Sequence, residues 1–494
     1  MLNKNNLYKI FIILIILAGI IVRIKAYLLQ NSLWLDESAL ALSILKRNLF
    51  GFFTPLEHFQ KAPPIFMMLT ELATYMFGNT KELALRSISL ISSILALFVF
   101  FRISTEVLKN KFAILFANYL FSLNFYIIFY SQTFKQYSSD VLLVLLAIHL
   151  FSKFDLEKAS IKKIMVAGFL TIILLLSSFP ALFVVGAFIC LYLPKCMSIT
   201  KKNIKFNLNN IKTLTIYSLP LVIFGILYYI LFLFPLRTRE ITQVTFWNDG
   251  FLSPTINSFG HIIKHNIEYF FYPNLFAIVL LIPIILGAYF LVKEKNTINK
   301  LILLTIGFTF LASITHLYPI KERVVLYLIP FCIIYLVKPL EISLQKNKIT
   351  TFFLICLYLI SLLFYNPIYI SKCFKYNAFS FVDARTSMKI LKENYNKSDI
   401  IVYNQASDSD LEYYSHYFNF KPTRTILIPH EPYTIENYNN FLNSLPKNNT
   451  YWFYISFDYS EKPTLPFIAN WVVKNNIKFK AYSYKKSRVI YMKL

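Results

Sequence analysis

Apolar runs separated by short polar connections fill most of the first 370 positions of the chain. A helix of about 20 apolar residues crosses the ~30 Å hydrocarbon core of a bilayer. The first run follows Lys4 and Lys9 but has no small-residue cleavage site, so we expect an uncleaved span. The runs of spanning or near-spanning length predict about eleven transmembrane helices, at about 8–29, 86–104, 112–130, 137–153, 164–179, 180–194, 213–234, 275–292, 301–316, 324–340 and 349–370.

The connections between these runs divide into a Lys-rich set and a Lys-poor set. Basic residues near span ends are retained in the cytoplasm, which predicts a cytoplasmic N-terminus and, with an odd number of spans, an outer C-terminus. This prediction depends on separating 164–194 into two helices at Pro180. The long loops at 30–85 and 235–274 then lie outside. The connections predicted to be cytoplasmic are 105–111, 153–163, 195–212, 293–300 and 341–348.

The last part of the chain, residues 371–494, changes to alternating strand-like and helical patterns. This alternation predicts a small extracytoplasmic α/β domain that follows a transmembrane module at 1–370. The domain has no Gly-rich phosphate loop and no nucleophile elbow, so we assign it no chemistry. Strands are predicted at 400–403, 425–428, 451–457 and 489–492, and helices near 384–395, 408–418, 435–445 and 465–474.

Composition excludes a soluble protein, because 56% of the 494 residues are hydrophobic and only 15% are charged. Soluble domains average about 25% charged residues. The net charge of +25 would suit nucleic acid, but forty of the fifty basic residues are Lys. We expect this charge in loops that face anionic lipid, and no nucleic-acid partner. The five cysteines form no CxxC pair or metal spacing, so we expect no structural disulfide.

Two adjacent carboxylates, Asp36 and Glu37, follow the first predicted span. Ionisable groups at the membrane boundary are costly unless they face a polar cavity. Partial burial beside Trp34 would raise the pKa of a carboxylate toward that of a useful general base. The dipole of a helix N-terminus also favours Asp and Glu in a first turn, so the local sequence leaves both interpretations open.

Several cations are predicted on the same outer face as these carboxylates. Each one alone is more typical of a snorkelling or solvated side chain. Gathered near a carboxylate, they would suit a lipid-linked phosphate. They are His58, Lys61, Arg86, Lys135, Arg237, Arg239, Lys321 and Arg323.

Four segments of this outer face resemble, in the same order, motifs of a known family. They are Trp34-Leu35-Asp36-Glu37; His58-Phe59-Gln60-Lys61-Ala62-Pro63-Pro64 with Phe77-Gly78 and Glu82-Leu83-Ala84-Leu85-Arg86; Tyr130-Ser131-Gln132-Thr133-Phe134-Lys135-Gln136-Tyr137; and Tyr318-Pro319-Ile320-Lys321-Glu322-Arg323. The family is the integral-membrane glycosyltransferases of the GT-C fold, in the branch of protein O-mannosyltransferases and lipid A aminoarabinose or galacturonic acid transferases. Three positions depart from its pattern. Lys135 stands where relatives often carry Arg, Thr133 where they often carry an acid, and Ala62 interrupts Lys-Pro-Pro.

The resemblance implies a cell-membrane enzyme, inner or plasma, that takes a sugar from a polyprenyl-phosphate carrier. The acceptor would be a lipid, a glycan or a protein, and the anomeric carbon would be inverted. Asp36 would be the catalytic base, and Glu37 would orient the acceptor or help to hold a divalent cation, for which His58 is another candidate ligand. The phosphate of the donor would be bound by Lys61, Lys135 and Arg323. Further substrate contacts would come from His58, Tyr137, Arg86, Gln132 and Tyr318.

Other classes of membrane protein stay open at this point. A secondary transporter should show repeated halves and broken helices with charge at mid-bilayer, and the sequence shows neither pattern. A membrane-anchored glycan-binding protein would have its active part in the outer α/β domain. A glycan polymerase or ligase would not predict the Asp-Glu pair after the first helix.

Overall fold

The computed structural model describes residues 4–77, 82–199, 204–234, 247–253, 255–274, 277–294, 296–346, 365–429, 434–457 and 464–494. Its first two thirds are almost entirely helical. In chain order the helices are α1 (Lys4–Tyr27), α2 (Leu35–Lys46), α3 (Pro64–Phe77), α4 (Glu82–Val107), α5 (Lys111–Ser122), α6 (Phe125–Ser131), α7 (Tyr137–Lys153), α8 (Ile161–Ser177), α9 (Ala181–Cys196), α10 (Leu208–Tyr228), α11 (Ile256–Phe270), α12 (Leu281–Lys293), α13 (Thr297–Ile314), α14 (Ile329–Lys346) and α15 (Tyr365–Lys375). A 3₁₀ turn, Glu322–Leu328, leads into α14, and a short hairpin of β1 (Met197–Ile199) and β2 (Ile204–Phe206) joins α9 to α10.

Polar residues in the connections set where these helices begin. The Asn110 side chain accepts hydrogen bonds from the first free N–H groups of α5, and Asn124 does the same for α6. Ser160 caps α8 in this way. Such caps satisfy N–H groups that have no partner inside the helix. Pro180 lies between α8 and α9, so 161–196 forms two helices, separated at the residue where the sequence predicted.

Among the described residues, five helices are long and apolar enough to cross a bilayer, or six if the bent pair α5 and α6, which meet at 49°, is one span. The five are Asn6–Tyr27, Glu82–Val107, Leu208–Leu231, Thr297–Ile314 and Glu322–Gln345. The protein is therefore an integral membrane protein. Other predicted spans correspond to shorter helices such as α9, and most of the predicted span at 349–370 lies outside the described residues. The count of eleven spans and the direction in which they cross stay predictions.

The helical bundle has one continuous apolar core. Within it α12 and α14 pack in backbone contact at Gly287. A Cβ atom added at this position would lie 1.7 Å from the carbonyl oxygen of Tyr335, so only glycine fits. The predicted outer loop at 30–85 is not irregular throughout, since it contains the helices α2 and α3. At 14 residues α3 is apolar but too short to span a bilayer as a straight helix.

Residues from 384 onward form a mixed five-stranded sheet with four helices. The sheet order is β4-β3-β5-β7-β6, with β3 parallel to β4 and β5, and β7 antiparallel to β5 and β6. Strand β6 was not predicted, because its exposed residues lack the apolar run of a buried strand. The elements are α16 (Ala384–Asn394), β3 (Ile400–Tyr403), α17 (Asp408–Tyr417), β4 (Thr425–Leu427), α18 (Ile435–Ser444), β5 (Thr450–Ile455), α19 (Leu465–Lys474), β6 (Phe479–Tyr484) and β7 (Ser487–Lys493).

The two faces of this sheet belong to two different apolar clusters. Ile400 and Val402 pack in a cluster confined to the C-terminal part. Ile401 points the other way and belongs to a cluster shared with Leu33 and Trp34 of the segment that leads into α2. This alternation is the period of two expected for a strand. The sheet therefore rests, through α16 and α17, on the segment that carries Asp36 and Glu37.

Candidate active site

Three charged residues from distant parts of the chain meet beside the first turn of α2. Asp36 Oδ2 lies 3.4 Å from Arg323 Nη2 and 3.8 Å from Lys135 Nζ. The carboxylate of Asp36 is 19% exposed, the Arg323 side chain 16% and the Lys135 side chain 4%. The sequence predicted that these residues would be neighbours. The arrangement pairs one partly exposed carboxylate with two cations.

Lys135 lies in the connection between α6 and α7 and is held by uncharged groups. Its Nζ donates a 2.6 Å hydrogen bond to Oε1 of Gln60, and its carbonyl oxygen accepts one from Ser89. Burial lowers the pKa of this ammonium, and the nearby Arg323 lowers it further, whereas Asp36 opposes the change. A poorly hydrated ammonium of this kind favours an anionic ligand that can replace lost water.

Arg323 is the second residue of the 3₁₀ turn before α14, and aromatic side chains orient it. Its guanidinium carbon lies 5.4 Å from the ring centre of Trp34 and 5.7 Å from that of Trp247. Its Nε donates to the Tyr137 hydroxyl at 3.2 Å. Tyr137, predicted to contact substrate, is thus brought to the site. Trp247 was missed, although a Trp in the loop predicted at 235–274 is the kind of residue that stacks on Arg.

Glu37 and Arg86 form a separate, buried ion pair. Arg86 Nε and Nη2 donate to the two carboxylate oxygens of Glu37 at 2.9 and 2.7 Å. The Phe134 N–H also donates to Glu37, and Arg86 donates to the carbonyls of Asn31 and Ser32. Both side chains are at most 2% exposed. The pair thus joins α2, α4 and the connection that carries Lys135.

Other predicted site residues are placed less centrally. The Lys61 side chain is exposed, and its carbonyl accepts from Gln136. The amide of Gln132 is buried and donates to the carbonyl of Phe379. The Tyr318 hydroxyl donates to a backbone carbonyl of the 3₁₀ turn at 2.8 Å. Arg237 and Arg239 lie outside the described residues.

His58 lies against the C-terminal part rather than beside Asp36. Its Nδ1 is 3.7 Å from Asp408 Oδ2 and its Nε2 is 3.6 Å from Glu412 Oε2. These contacts make His58 a link between the loop before α3 and α17.

Two residues further on, Gln60 reaches Asp36, with Nε2 3.5 Å from Oδ1. Sequence reasoning missed Gln60, although it directly precedes Lys61 in the matched segment.

The residues suggested as ligands of a divalent cation do not fit one. Both oxygens of Glu37 are occupied by Arg86 and a backbone N–H, and His58 is directed at Asp408 and Glu412. Across the described ranges, no group of three or more His, Cys, Asp or Glu side chains is arranged to hold a metal ion. We therefore derive no step through a metal.

Residues 383–414 hold the segment before α2 and the first turn of α2 with hydrogen bonds. The Tyr414 hydroxyl accepts from the Leu33 N–H at 2.7 Å. The hydroxyl of Ser32 donates to Asp383 at 3.0 Å, and Ser38 donates to Asp410. Burial raises the pKa of Asp410 to about 7, although hydrogen bonds from Ser38 and Ser456 oppose the change.

Comparison with solved structures places this architecture among known folds. The crystal structure of ArnT from Cupriavidus metallidurans bound to undecaprenyl phosphate aligns over 100% of this chain and 99% of its own, with 10% sequence identity and a TM-score of 0.53. The chain has the GT-C fold. The apo structure of the same ArnT aligns over 98% of this chain and 97% of its own, with 10% identity and a TM-score of 0.52.

An oligosaccharyltransferase from Archaeoglobus fulgidus, in complex with zinc and sulfate, aligns over 83% of this chain and 62% of its own, with 13% identity and a TM-score of 0.47. Comparison with protein-family models and with curated proteins finds no match. The likeness therefore lies in the fold, and chemistry has to be argued from the residues of this chain.

Proposed function

We propose that the protein is a membrane glycosyltransferase that moves a sugar from a polyprenyl-phosphate-linked donor to an acceptor on a lipid, glycan or protein at the outer face of the membrane. One observation carries this proposal. Asp36 is accessible and lies within 4 Å of two cations, Lys135 and Arg323. The fold of ArnT, a protein solved with undecaprenyl phosphate bound, supports the choice of donor.

The chemistry of the transfer matches the charges at the site. The oxygen of the acceptor hydroxyl attacks the anomeric carbon from the face opposite the phosphate, and Asp36 accepts the proton of that hydroxyl. The bond between that carbon and the phosphate oxygen breaks, and polyprenyl phosphate leaves with its electron pair. The second pKa of a phosphate is only about 6, so the leaving group needs positive charge more than a proton. Lys135 and Arg323 supply that charge, and Lys61 is the outer candidate for the same phosphate.

The neighbouring carboxylate has a different role in this proposal. Glu37 is held by Arg86 and by the Phe134 N–H, so we assign it to positioning the base and the Lys135 connection. Tyr137 orients Arg323 through its hydroxyl. Gln132 and Tyr318 support the backbone around the site.

Asp36→Asn tests the proposal, because the amide keeps the size of the side chain but accepts no proton. The matched control is Asp155→Asn, which also removes a carboxylate with two lysines within 4 Å, Lys158 and Lys195. Cells that lack the protein receive the wild type or either variant, and mass spectrometry compares their surface glycolipids and glycoproteins.

We expect a sugar modification that requires the wild-type protein, is absent with Asp36→Asn and is restored by Asp155→Asn. Membrane fractionation confirms that each variant is inserted at the wild-type level. A glycan profile that Asp36→Asn restores fully would remove the base from the proposal. A profile that does not depend on the protein at all would remove the transferase.

A further inference from the structure

Gln60 lies between the proposed base and one of the proposed phosphate-binding cations. Its Oε1 accepts a 2.6 Å hydrogen bond from Lys135 Nζ, and its Nε2 lies 3.5 Å from Asp36 Oδ1. An amide has one accepting end and one donating end. The contact with Lys135 therefore turns the N–H end of Gln60 toward Asp36. A neutral group thus bridges two opposite charges.

The distance between those two charges is long for an ion pair whose ammonium is almost fully buried. Lys135 Nζ is 3.8 Å from Asp36 Oδ2, although the Lys135 side chain is only 4% exposed. A charge-assisted hydrogen bond has a length of about 2.7–2.9 Å, and opposite charges attract strongly where water is scarce. A closed pair would occupy the lone pairs that must receive a proton and the N–H groups that must hold a phosphate.

The loop that presents Gln60 is held in an unusual conformation. His58 and Phe59, immediately before it, both have left-handed backbone angles, with φ of 49° and 55°. Consecutive residues other than glycine persist in this region only where their surroundings hold them. The surroundings here include Asp408 and Glu412 of α17, which flank the His58 ring. The C-terminal part thus fixes the loop from which Gln60 reaches the site.

We propose that Gln60 is a positioning residue that keeps Lys135 from closing on Asp36. The carboxylate, which already accepts from Arg323, then keeps lone pairs for the proton of the acceptor, and the ammonium keeps N–H groups for phosphate. This inference rests on the proposed function. Gln60 achieves the separation without adding charge, because it occupies one N–H of Lys135 with an uncharged oxygen.

Two substitutions of Gln60 should have opposite effects on the pH profile of transfer. In Gln60→Leu the amide is lost, Lys135 closes on Asp36, and the acid limb of kcat moves to lower pH by about one unit. In Gln60→Glu a second carboxylate stands beside Asp36, and the acid limb moves to higher pH by about one unit. Among the described residues, Arg323 and Tyr137 also act electrostatically on Asp36, Glu37 acts on Lys135, and neither variant changes these residues.

The full-length protein is reconstituted, and kcat is measured from pH 4.5 to 9 with the donor and acceptor identified by the glycan comparison. We expect kcat to fall roughly 10- to 100-fold in Gln60→Leu, as for a reacting group displaced by about 1 Å. The matched controls are Gln405→Leu and Gln405→Glu, because Gln405 is exposed on the C-terminal part. Both controls should keep the wild-type profile.

Three results would overturn the inference. The first is a wild-type pH profile of kcat in both Gln60 variants. The second is a loss of kcat in both variants without a shift of the acid limb. The third is a shift of the acid limb in the same direction in both variants. If the wild type transfers no sugar, the proposed function fails, and binding of undecaprenyl phosphate in phosphatidylcholine vesicles becomes the readout. Both variants should then bind it at least tenfold more weakly than wild type at pH 7, and unchanged binding would refute the role of Gln60.

Discussion

Removal of Arg86 should destabilise the fold strongly, because its partner Glu37 would remain in the interior without a counter-charge. Arg86→Met keeps much of the length of the side chain and deletes its charge. The lost guanidinium donates to Glu37 at 2.9 and 2.7 Å and to the carbonyl of Ser32 at 3.2 Å. The side chains of Arg86 and Glu37 are 2% and 1% exposed, so water cannot replace those contacts.

The expected cost is about 3–5 kcal/mol in the free energy of unfolding, as for other buried ion pairs broken on one side. The double variant Glu37→Met with Arg86→Met removes both charges at once. It should be less destabilised than the sum of the two single variants by about 1–3 kcal/mol. Some cost will remain, because the Phe134 N–H keeps no carboxylate to donate to.

Unfolding in mixed detergent micelles, followed by circular dichroism, measures these differences. Arg102→Met is the matched control, because Arg102 lies on the same helix α4 and is exposed, so we expect a change within about 0.5 kcal/mol. An Arg86→Met protein as stable as this control would refute the reasoning. Strict additivity of the two single variants would refute the pairing.

Two further predictions concern the edges of the site. Asp410 has its pKa raised to about 7 from 3.8, so it stabilises the fold below about pH 4, and this contribution is lost as pH rises through about 7. The free energy of unfolding falls by at most ~4 kcal/mol, at 1.36 kcal/mol per pKa unit. Asp410→Asn should flatten the dependence of this free energy on pH. Unfolding measured from pH 4.5 to 8 tests this, and identical slopes in both proteins would contradict it. Trp247→Leu should weaken the binding of undecaprenyl phosphate in vesicles about 3- to 10-fold by removing one ring that orients Arg323, whereas wild-type binding would show that Trp34 suffices.

The sequence predicted a helical membrane protein because runs of about 20 apolar residues are typical of helices that cross a bilayer, and five of the described helices are long and apolar enough to do so. The matched motifs also predicted that Asp36, Lys135 and Arg323 would share one site, and the structure places both cations within 4 Å of Asp36. Strand β6 was missed because its exposed residues carry no such signal. The position and tilt of a helix decide whether a short helix such as α9 crosses the bilayer. They depend on packing against neighbouring helices rather than on composition.

The roles within the site were harder to predict than its location. Adjacent residues on a helix point about 100° apart, so Asp36 faces Lys135 and Arg323 while Glu37 faces Arg86 in the interior. Charge alone does not distinguish these two environments. Gln60 was missed for a related reason, because an uncharged amide becomes informative only when the two charged groups that it contacts are known.

The packing of the C-terminal sheet against the segment before α2 has a practical consequence. Leu33 and Trp34 share one apolar cluster with residues of that sheet, and Tyr414 accepts a hydrogen bond from the Leu33 N–H. Truncating the protein after α15 would remove these neighbours and leave the segment that carries Asp36 and Glu37 without their support. The two halves should therefore melt in a single transition, and swapping distal halves between relatives should fail unless residues 30–38 are exchanged together with them.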